Sequence, residues 1–165
     1  MRTRRLAPWI VLPLLAAALG GCPREDGTKS SSPSDAESAR PRVEIVTESG
    51  RRAAWIVELA RTAEERERGL MGRTDLAADA GMLFVFPYEE VQHFWMKDTP
   101  LPLDMIFISS RREVAGVVAE AKPFDTTTLF VDAPSQYVLE VNGGQAARHG
   151  IAAGSKVFFH DIDGL

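Results

Sequence analysis

The stretch FWMKDTPLPLDMIFI, residues 94–108, decides how this chain folds. Its apolar runs predict two strands, His93–Thr99 and Met105–Ser109. Between them Pro100 and Pro102 offer no N–H to a ladder and hold the chain extended. The stretch is therefore predicted to form a corner between two strands that belong to the core.

Three charged residues lie in this stretch, and each needs a partner, water or a ligand, because an unpaired buried charge is very costly. Side chains alternate along a strand, which would place Lys97 and Asp98 on opposite faces. We expect Asp104 to accept backbone N–H groups at the proline corner and to pair with Lys97. The alternative is a polar pocket, walled by residues 94–96, in which Lys97 holds an anionic group.

The rest of the chain predicts further short strands and one main helix. The strands are predicted at Val43–Thr47, Ala53–Ala60, Met82–Phe86, Val114–Ala119, Tyr137–Val141 and Val157–His160. The first two should pair as a hairpin, and Pro87 should close the third. Short strands at close spacing with one helix predict an α+β, mostly β fold, a small barrel-like and strongly curved antiparallel or mixed sheet.

The main helix is predicted over Thr62–Met71. Thr62 is a candidate N-cap, and Glu65 three residues later completes a capping box. Gly72 is the expected stop at the C-terminal end. Gly69 costs about 1 kcal/mol relative to Ala inside a helix, which predicts a packing reason such as close approach to a strand.

The first residues predict an export signal. Arginines among the first five residues precede an apolar segment, Leu6–Leu19, which leads into Leu-Gly-Gly-Cys at residues 19–22. This ending resembles the lipobox of bacterial lipoproteins, in which the signal is cut before the cysteine and Cys22 is lipidated. An ordinary signal or an uncleaved anchor is the alternative, and Arg4-Arg5 also fits twin-arginine export.

Three segments follow from this pattern. Residues 1–21 are predicted to be a lipoprotein signal peptide, and residues 22–41 a lipidated cysteine with a disordered Ser- and Pro-rich tether. Residues 42–165 are of a size to form a single globular domain. Lipidation of Cys22 would leave this domain without a thiol. We expect an exported protein, anchored by lipid in the cell envelope on its periplasmic or extracellular face.

The charge balance argues against nucleic acid as a partner. The formal net charge is -4, and removing the three signal arginines leaves 16 basic against 23 acidic residues, about -7. Binding to nucleic acid needs a basic surface. Electrostatic docking on anionic lipid is disfavoured for the same reason, so the lipid on Cys22 would provide the attachment to the membrane.

Four phrases of the sequence resemble one family. They are RGLMGR at 68–73, GMLFVF at 81–86, FWMKDTPLPLD at 94–104 and YVLE at 137–140 with Gly150-Ile151. Together they resemble the domain of unknown function 192 (DUF192) family over Val43–Asp163. The resemblance implies a small β-barrel-like α+β domain, often behind a signal or lipoprotein leader. It implies no particular reaction, since the family's biochemical activity is not established.

Arg68 and Arg73 are candidate anion ligands beside Met71. A guanidinium pairs with a carboxylate in bidentate geometry, so the two could form a clamp at the mouth of the barrel. The alternative is compensation of the helix dipole, with Arg68 paired to Glu64 one turn earlier. That alternative is favoured for Arg68, and both remain open for Arg73.

Other candidates have simpler explanations. The methionine and aromatic side chains are typical of a barrel core, and the alternative is that they line a groove for an apolar or peptide segment. These residues are Met71, Met82, Phe84, Phe86, Phe94, Trp95, Met96, Met105 and Phe107. The histidines 93, 149 and 160 lack the short spacings of metal sites. No nucleophile elbow or phosphate loop occurs, so no metal and no cofactor is predicted.

Two classes of function remain open. The first is a non-catalytic, membrane-anchored module that binds a peptide, a cell-wall component or an envelope protein. Its predicted binding residues are Arg73, Phe94, Trp95, Met96, Lys97, Asp98 and Asp104. The second is a carboxylate-dependent hydrolase or carbohydrate-active enzyme, with Asp98 and Asp104 in acid–base roles and Lys97 tuning them. The lack of nucleophile, metal and cofactor motifs favours binding.

Overall fold

The computed structural model describes residues 40–165, so the predicted signal, the lipidation at Cys22 and most of the tether lie outside the described residues. In chain order the elements are β1 (Arg42–Val46), β2 (Arg52–Ala60), α1 (Ala63–Arg68), β3 (Ala80–Glu90), β4 (Leu103–Ile108), β5 (Val114–Ala121), β6 (Ser135–Asn142), α2 (Gln145–His149) and β7 (Lys156–His160). The last four strands lie where the sequence predicts them, with ends shifted by one or two residues.

The strands form one strongly curled sheet in the order β5-β4-β6-β3-β2-β1-β7. Neighbours are antiparallel except for β2 and β3, which run parallel and are joined through α1. At one end the two edge strands meet, because the Val114 N–H donates to the Ser155 carbonyl at 2.9 Å and the Gly154 N–H donates to the Val114 carbonyl at 2.9 Å. The α+β, mostly β, barrel-like fold is confirmed as a half-barrel closed at one end.

The predicted hairpin of β1 and β2 is confirmed, with Val43 opposite Trp55. Its turn places Gly50 at φ +81°, a backbone conformation that glycine adopts at little cost. Trp55 and Val57 alternate with exposed neighbours and face the inside of the curled sheet. This alternation is what the period of a strand dictates.

The core occupies both faces of the sheet. Inside the half-barrel it is built mostly from aliphatic residues, with Trp55 and Tyr137; the aliphatic residues include Val43, Ile45, Leu83, Ile106, Leu139 and Val157. The outer face carries a second cluster, among them Leu70, Met82, Phe84, Met96, Met105, Phe107 and Val138. Since β4 is covered from both sides, every one of its residues is buried.

The predicted strand at His93–Thr99 is wrong. Only Phe94 forms an isolated bridge, with Leu129, and a turn follows at Lys97-Asp98. Asp98 takes φ +54°, and its carbonyl accepts the Gly72 N–H at 2.7 Å. This segment lies across the outer face of the sheet rather than joining the ladder, which buries Met96 and partly buries Phe94, whereas Trp95 stays exposed.

The end predicted for the third strand is also wrong, because β3 continues through Pro87 to Glu90. The pairing of β3 with β2 stops at Phe84, and its pairing with β6 skips from Val85 to Glu90. Pro87 therefore lies where the ladder is interrupted, and its missing N–H breaks no pairing in that interval.

The start of the helix is confirmed and its end is not. The Glu65 N–H donates to Thr62 Oγ1 at 3.2 Å, and the Thr62 N–H donates to the Glu65 carboxylate at 2.9 Å, which completes the capping box. The helix ends at Arg68, and Gly69 rather than Gly72 is the C-cap, at φ +45°. A Cβ on Gly69 would lie 3.0 Å from Phe84 Cζ, so the predicted close approach to a strand is confirmed.

Candidate functional site

A cavity of about 220 Å³ lies on the outer face of the sheet, between the end of α1 and residues 93–99. Its walls are aromatic, with Phe84 and Phe86 from β3 beside Phe94 and Trp95. The ring of Phe94 stands edge-on to Phe84 at 5.1 Å and to Phe86 at 6.2 Å between centroids. Edge-to-face contacts of this kind fix ring orientation, so the wall is preformed.

Glu140, from β6, lines the same cavity. Its neighbours across the sheet are Met82 and Met105, both in the outer core cluster, so its side chain lies on the apolar outer face. The residue is 5 % exposed. Within residues 40–165 its carboxyl has neither a hydrogen-bond nor an ion-pair partner.

Burial raises the pKa of Glu140 to about 8. Desolvation disfavours the charged form of a carboxyl, and no described cation pairs with it to offset this effect. Glu140 is therefore mostly protonated at neutral pH. A protonated carboxyl both donates and accepts hydrogen bonds, so it can recognise an acceptor group on a bound molecule.

Two arginines of α1 line the cavity, and only one of them is engaged. The Arg66 guanidinium lies over the Phe86 ring, 5.1 Å from its centroid, and donates to the Val85 carbonyl at 3.0 Å. The Arg68 guanidinium makes no hydrogen bond or ion pair with any residue of the described part of the chain. The ion pair with Glu64 that the helical spacing suggests is not formed, so Arg68 is an exposed cation at the rim.

The three charges of residues 94–108 are not brought together. The Lys97 ammonium lies 5.3 Å from the Trp95 ring centroid, and Asp98 is exposed at a turn. Asp104 is 0 % exposed in the core and forms no ion pair with Lys97, so the predicted pairing of these two is wrong.

Asp104 is held by backbone groups from two other parts of the fold. The N–H groups of Glu120 at 2.7 Å and of Gly144 at 3.0 Å donate to its Oδ1. The Ala146 N–H donates to its Oδ2 at 2.7 Å. These donors belong to β5 and to the start of α2, and not to the proline corner where the sequence analysis expects them.

The remaining predicted binding residues fall into different places. Phe94 and Trp95 line the cavity, whereas Met96 is buried in the outer core cluster. The Arg73 guanidinium donates to both carboxylate oxygens of Glu58 at 2.7 Å, on a neighbouring cleft of about 400 Å³. Lys97 and Asp98 lie outside the lining of the aromatic cavity.

Sequence reasoning missed Glu140 and chose the helix-stabilising interpretation of Arg68. The signal for Glu140 is a single acid in the apolar run YVLEV, residues 137–141. His93 also lines the cavity, and its ring lies 5.4 Å from that of Phe130. Phe130 is itself half exposed, so the aromatic surface continues outward from the cavity.

The other histidines lie away from this site. The His149 ring stands edge-on to Trp55 at 5.6 Å, and burial lowers its pKa. His160 Nε2 lies 3.1 Å from the Glu44 carboxylate. Among residues 40–165 no group of three or more His, Cys, Asp or Glu side chains is arranged to hold a metal ion.

None of the helices in residues 40–165 has the length and apolar character needed to cross a membrane.

Comparison with known proteins gives one family and several solved structures, among them the two described next. Residues 44–159 match the model of DUF192, a family described as "Uncharacterized ACR". A crystal structure of a protein of unknown function from Novosphingobium aromaticivorans is 44% identical, with a TM-score of 0.68 over 71% of this chain and 83% of that one. A Sinorhizobium meliloti protein, described as a "putative transcription regulator", is 38% identical, with a TM-score of 0.71 over 76% of this chain and 97% of that one. No curated protein matches the sequence.

Proposed function

This chain belongs to the DUF192 family, and from that premise we propose that it is an exported, membrane-anchored domain that binds a small ligand, without catalysis, in the cavity around Glu140. The observation that supports this proposal is the Glu140 carboxyl, which is 5 % exposed, has no partner within residues 40–165 and lines an aromatic cavity. The ligand would come from the cell envelope, where the predicted leader would place the domain.

The energetics favour a ligand over a purely structural role for Glu140. Leaving a buried polar group without a hydrogen bond costs about 1–3 kcal/mol. Among residues 40–165 the fully buried side-chain atom without a partner is Ser135 Oγ, whereas Glu140 opens onto the cavity, where a ligand can supply the missing hydrogen bond. A cavity with apolar walls and few polar groups is the usual form of a small-molecule site. A perturbed carboxyl in such a cavity is a candidate for recognition.

Nothing in the geometry favours the alternative of a carboxylate-dependent hydrolase. Such enzymes present two carboxyl groups across one open cleft, separated by about 5–10 Å. Asp104 is fully buried and bound by backbone N–H groups, whereas Asp98 is exposed at the turn after Met96. The pair proposed from the sequence does not share a cavity.

The charge of this chain argues against nucleic acid as its ligand. Regulators that bind nucleic acid need a basic surface, and this sequence carries 23 acidic against 19 basic residues. A small molecule, a peptide or a cell-wall component of the envelope is the ligand class that the cavity supports.

Binding is tested by NMR of the full-length chain labelled at the methionine methyl groups. Met71 lines the cavity, and Met82 and Met105 flank Glu140. In a panel of small carboxylates, amines, amides and neutral aromatics, we expect some compounds to shift these methyl signals. Glu140→Leu, which keeps the bulk but removes the polar group, should weaken that binding about tenfold.

The control is Glu48→Gln, an exposed acid in the β1–β2 turn, which should bind the panel as the wild type does. The proposal is contradicted if no compound shifts the three methyl signals. It is also contradicted if Glu140→Leu binds the same compounds with unchanged affinity.

Attachment to the membrane is tested separately, by phase separation in a nonionic detergent. We expect the wild-type protein, expressed in a bacterium, to enter the detergent phase, and Cys22→Ser to stay in the aqueous phase. A wild-type protein in the aqueous phase would contradict lipidation. A Cys22→Ser variant that still enters the detergent phase would instead favour an uncleaved anchor.

A further inference from the structure

We propose that the ligand is a small organic carboxylate whose anionic group pairs with Arg68 at the rim of the cavity. Its apolar body would lie against Phe84, Phe94 and Trp95, and a carbonyl or hydroxyl group would accept a hydrogen bond from Glu140. This inference rests on the proposed function, and it adds the chemical class of the ligand.

The charge of the lining supports an anion. The titratable groups that line the cavity are Arg66, Glu67, Arg68, His93 and Glu140. With Glu140 protonated, Arg66 and Arg68 carry two positive charges against the one negative charge of Glu67. The net charge of the lining is therefore positive. The Lys97 ammonium on Trp95 adds a further cation just outside the lining. A cleft with an excess of one charge attracts ligands of the opposite charge.

Arg68 is the residue placed to hold the carboxylate. Arg66 is already fixed over Phe86 and bound to the Val85 carbonyl, whereas the Arg68 guanidinium has no partner among residues 40–165. Arg68 borders the aromatic cavity and the cleft beside it. A guanidinium presents parallel N–H donors that match the two oxygens of a carboxylate.

The walls select a flat or apolar body. Phe84 and Phe94 meet edge to face at 5.1 Å, so their rings are held in position before a ligand arrives. Trp95 is 47% exposed at the same wall, and binding would cover part of it. A preformed apolar wall reduces the ordering cost of binding, which favours a ligand that covers these rings.

An ammonium ligand is the competing class, because a carboxyl among aromatic rings is a common site for cations. Two observations oppose it. The guanidinium of Arg66 already lies over the Phe86 ring, and Arg68 stands at the rim, so an incoming cation meets two like charges. Burial also keeps Glu140 neutral, so an ion pair with an ammonium would first require loss of a proton.

The test uses three compounds with one skeleton: 3-phenylpropanoate, 3-phenylpropanamide and protonated 3-phenylpropylamine. They are titrated at pH 6.5 into the full-length chain and followed by the methyl signals of Met71 and Met82. We expect the carboxylate to bind about tenfold or more tightly than the amide and the ammonium, the size of a charge-assisted hydrogen bond. Arg68→Gln should remove that advantage without changing the affinity for the amide.

The matched control is Arg73→Gln, since Arg73 is engaged with Glu58 and lies outside the aromatic cavity. It should leave the affinity for the carboxylate unchanged. A peptide C-terminus carries the same carboxylate, and N-acetyl-Ala-Phe distinguishes this source. Tighter binding of that dipeptide than of 3-phenylpropanoate points to a peptide end, and weaker binding points to a free acid; either result supports a carboxylate.

The outcomes separate this inference from the proposed function. If the amide or the ammonium binds as tightly as the carboxylate, or if Arg68→Gln has no effect, the carboxylate class is wrong while binding in the cavity stands. The same holds if only amines, amides or neutral aromatics of the panel bind. If neither the three compounds nor the panel shifts the methyl signals, both proposals fail.

Discussion

Replacing Asp104 with Ala is expected to lower the free energy of unfolding by about 3–5 kcal/mol. Each buried donor left without an acceptor costs about 1–3 kcal/mol, and breaking a buried hydrogen-bond network is among the mutations with the largest effects. The carboxylate is 0 % exposed, so water cannot replace it. Its two oxygens accept three backbone N–H groups, from Glu120, Gly144 and Ala146. Removing it leaves three buried donors without an acceptor.

The effect should be large because Asp104 joins parts of the chain that are far apart in sequence. The three donors lie 16, 40 and 42 residues from Asp104. They belong to the end of β5 and the start of α2. One side chain therefore fixes β4 to both elements, and its loss loosens the open end of the half-barrel where these elements meet.

The measurement is urea-induced unfolding of the full-length chain at neutral pH, with two comparison variants. Asp104→Asn keeps one acceptor oxygen but places an NH₂ group against a donor, so an intermediate loss is expected. Lys97→Ala removes only an exposed contact with Trp95 and should cost about 0.5 kcal/mol. A wild-type midpoint for Asp104→Ala would contradict a structural role for this carboxylate.

The sequence predicts that Asp104 accepts backbone hydrogen bonds, but it does not predict which groups donate them. Its position between a proline corner and an apolar run predicts an acceptor for backbone N–H groups, and the structure has one. The donors could not be predicted, because they come from Glu120, Gly144 and Ala146, which only the tertiary fold places nearby. Local pattern indicates that a buried acid needs partners, and chain topology decides which ones it finds.

Residues 93–99 illustrate a limit of periodicity. An apolar run is compatible with a strand inside a sheet and with an irregular segment packed across one, because both bury side chains. Here Met96 is buried and Phe94 is partly buried against the outer face, yet only Phe94 forms a bridge. The outer face could receive this segment because β3, β4 and β6 carry apolar residues on both sides.

Part of the cavity wall could be predicted from the sequence, and its polar group could not. The wall formed by Phe94 and Trp95 follows from the stretch that the sequence singles out. Glu140 does not, since one acid in a strand usually faces solvent on the polar side of a sheet. Glu140 is buried because Phe94 and the turn after Arg68 cover this part of the outer face.

The contribution of Glu140 to the stability of the protein is expected to fall as pH rises from about 4.5 to about 8. Burial raises the pKa of this carboxyl from 4.5 to about 8 in the folded chain. Below pH 4.5 the carboxyl is protonated in both states, and its contribution is constant. Between the two values the unfolded chain ionises while the folded chain keeps its proton, so unfolding becomes easier. The full effect, reached above pH 8, is on the order of 5 kcal/mol.

Glu140→Gln isolates this effect, because an amide has nearly the same shape and does not titrate. The variant should gain stability relative to the wild type steadily from pH 4.5 to pH 8, by several kcal/mol in total. Burial lowers the pKa of His149, which acts in part of the same range but is present in both proteins, so its contribution cancels in the difference. Glu48→Gln, on the exposed turn, is the control for the loss of one negative charge.

Urea unfolding of the three full-length proteins at several pH values measures the difference in free energy of unfolding between wild type and variant. A constant gap between wild type and Glu140→Gln from pH 4.5 to pH 8 would show that Glu140 is ionised in the fold, or that its ionisation is matched by a partner. A growing gap would show that the fold retains a destabilising group at neutral pH. Carboxyl groups with a strongly perturbed pKa cluster at functional sites, where activity can require a destabilising arrangement, which connects this measurement of stability to the ligand proposed for the cavity.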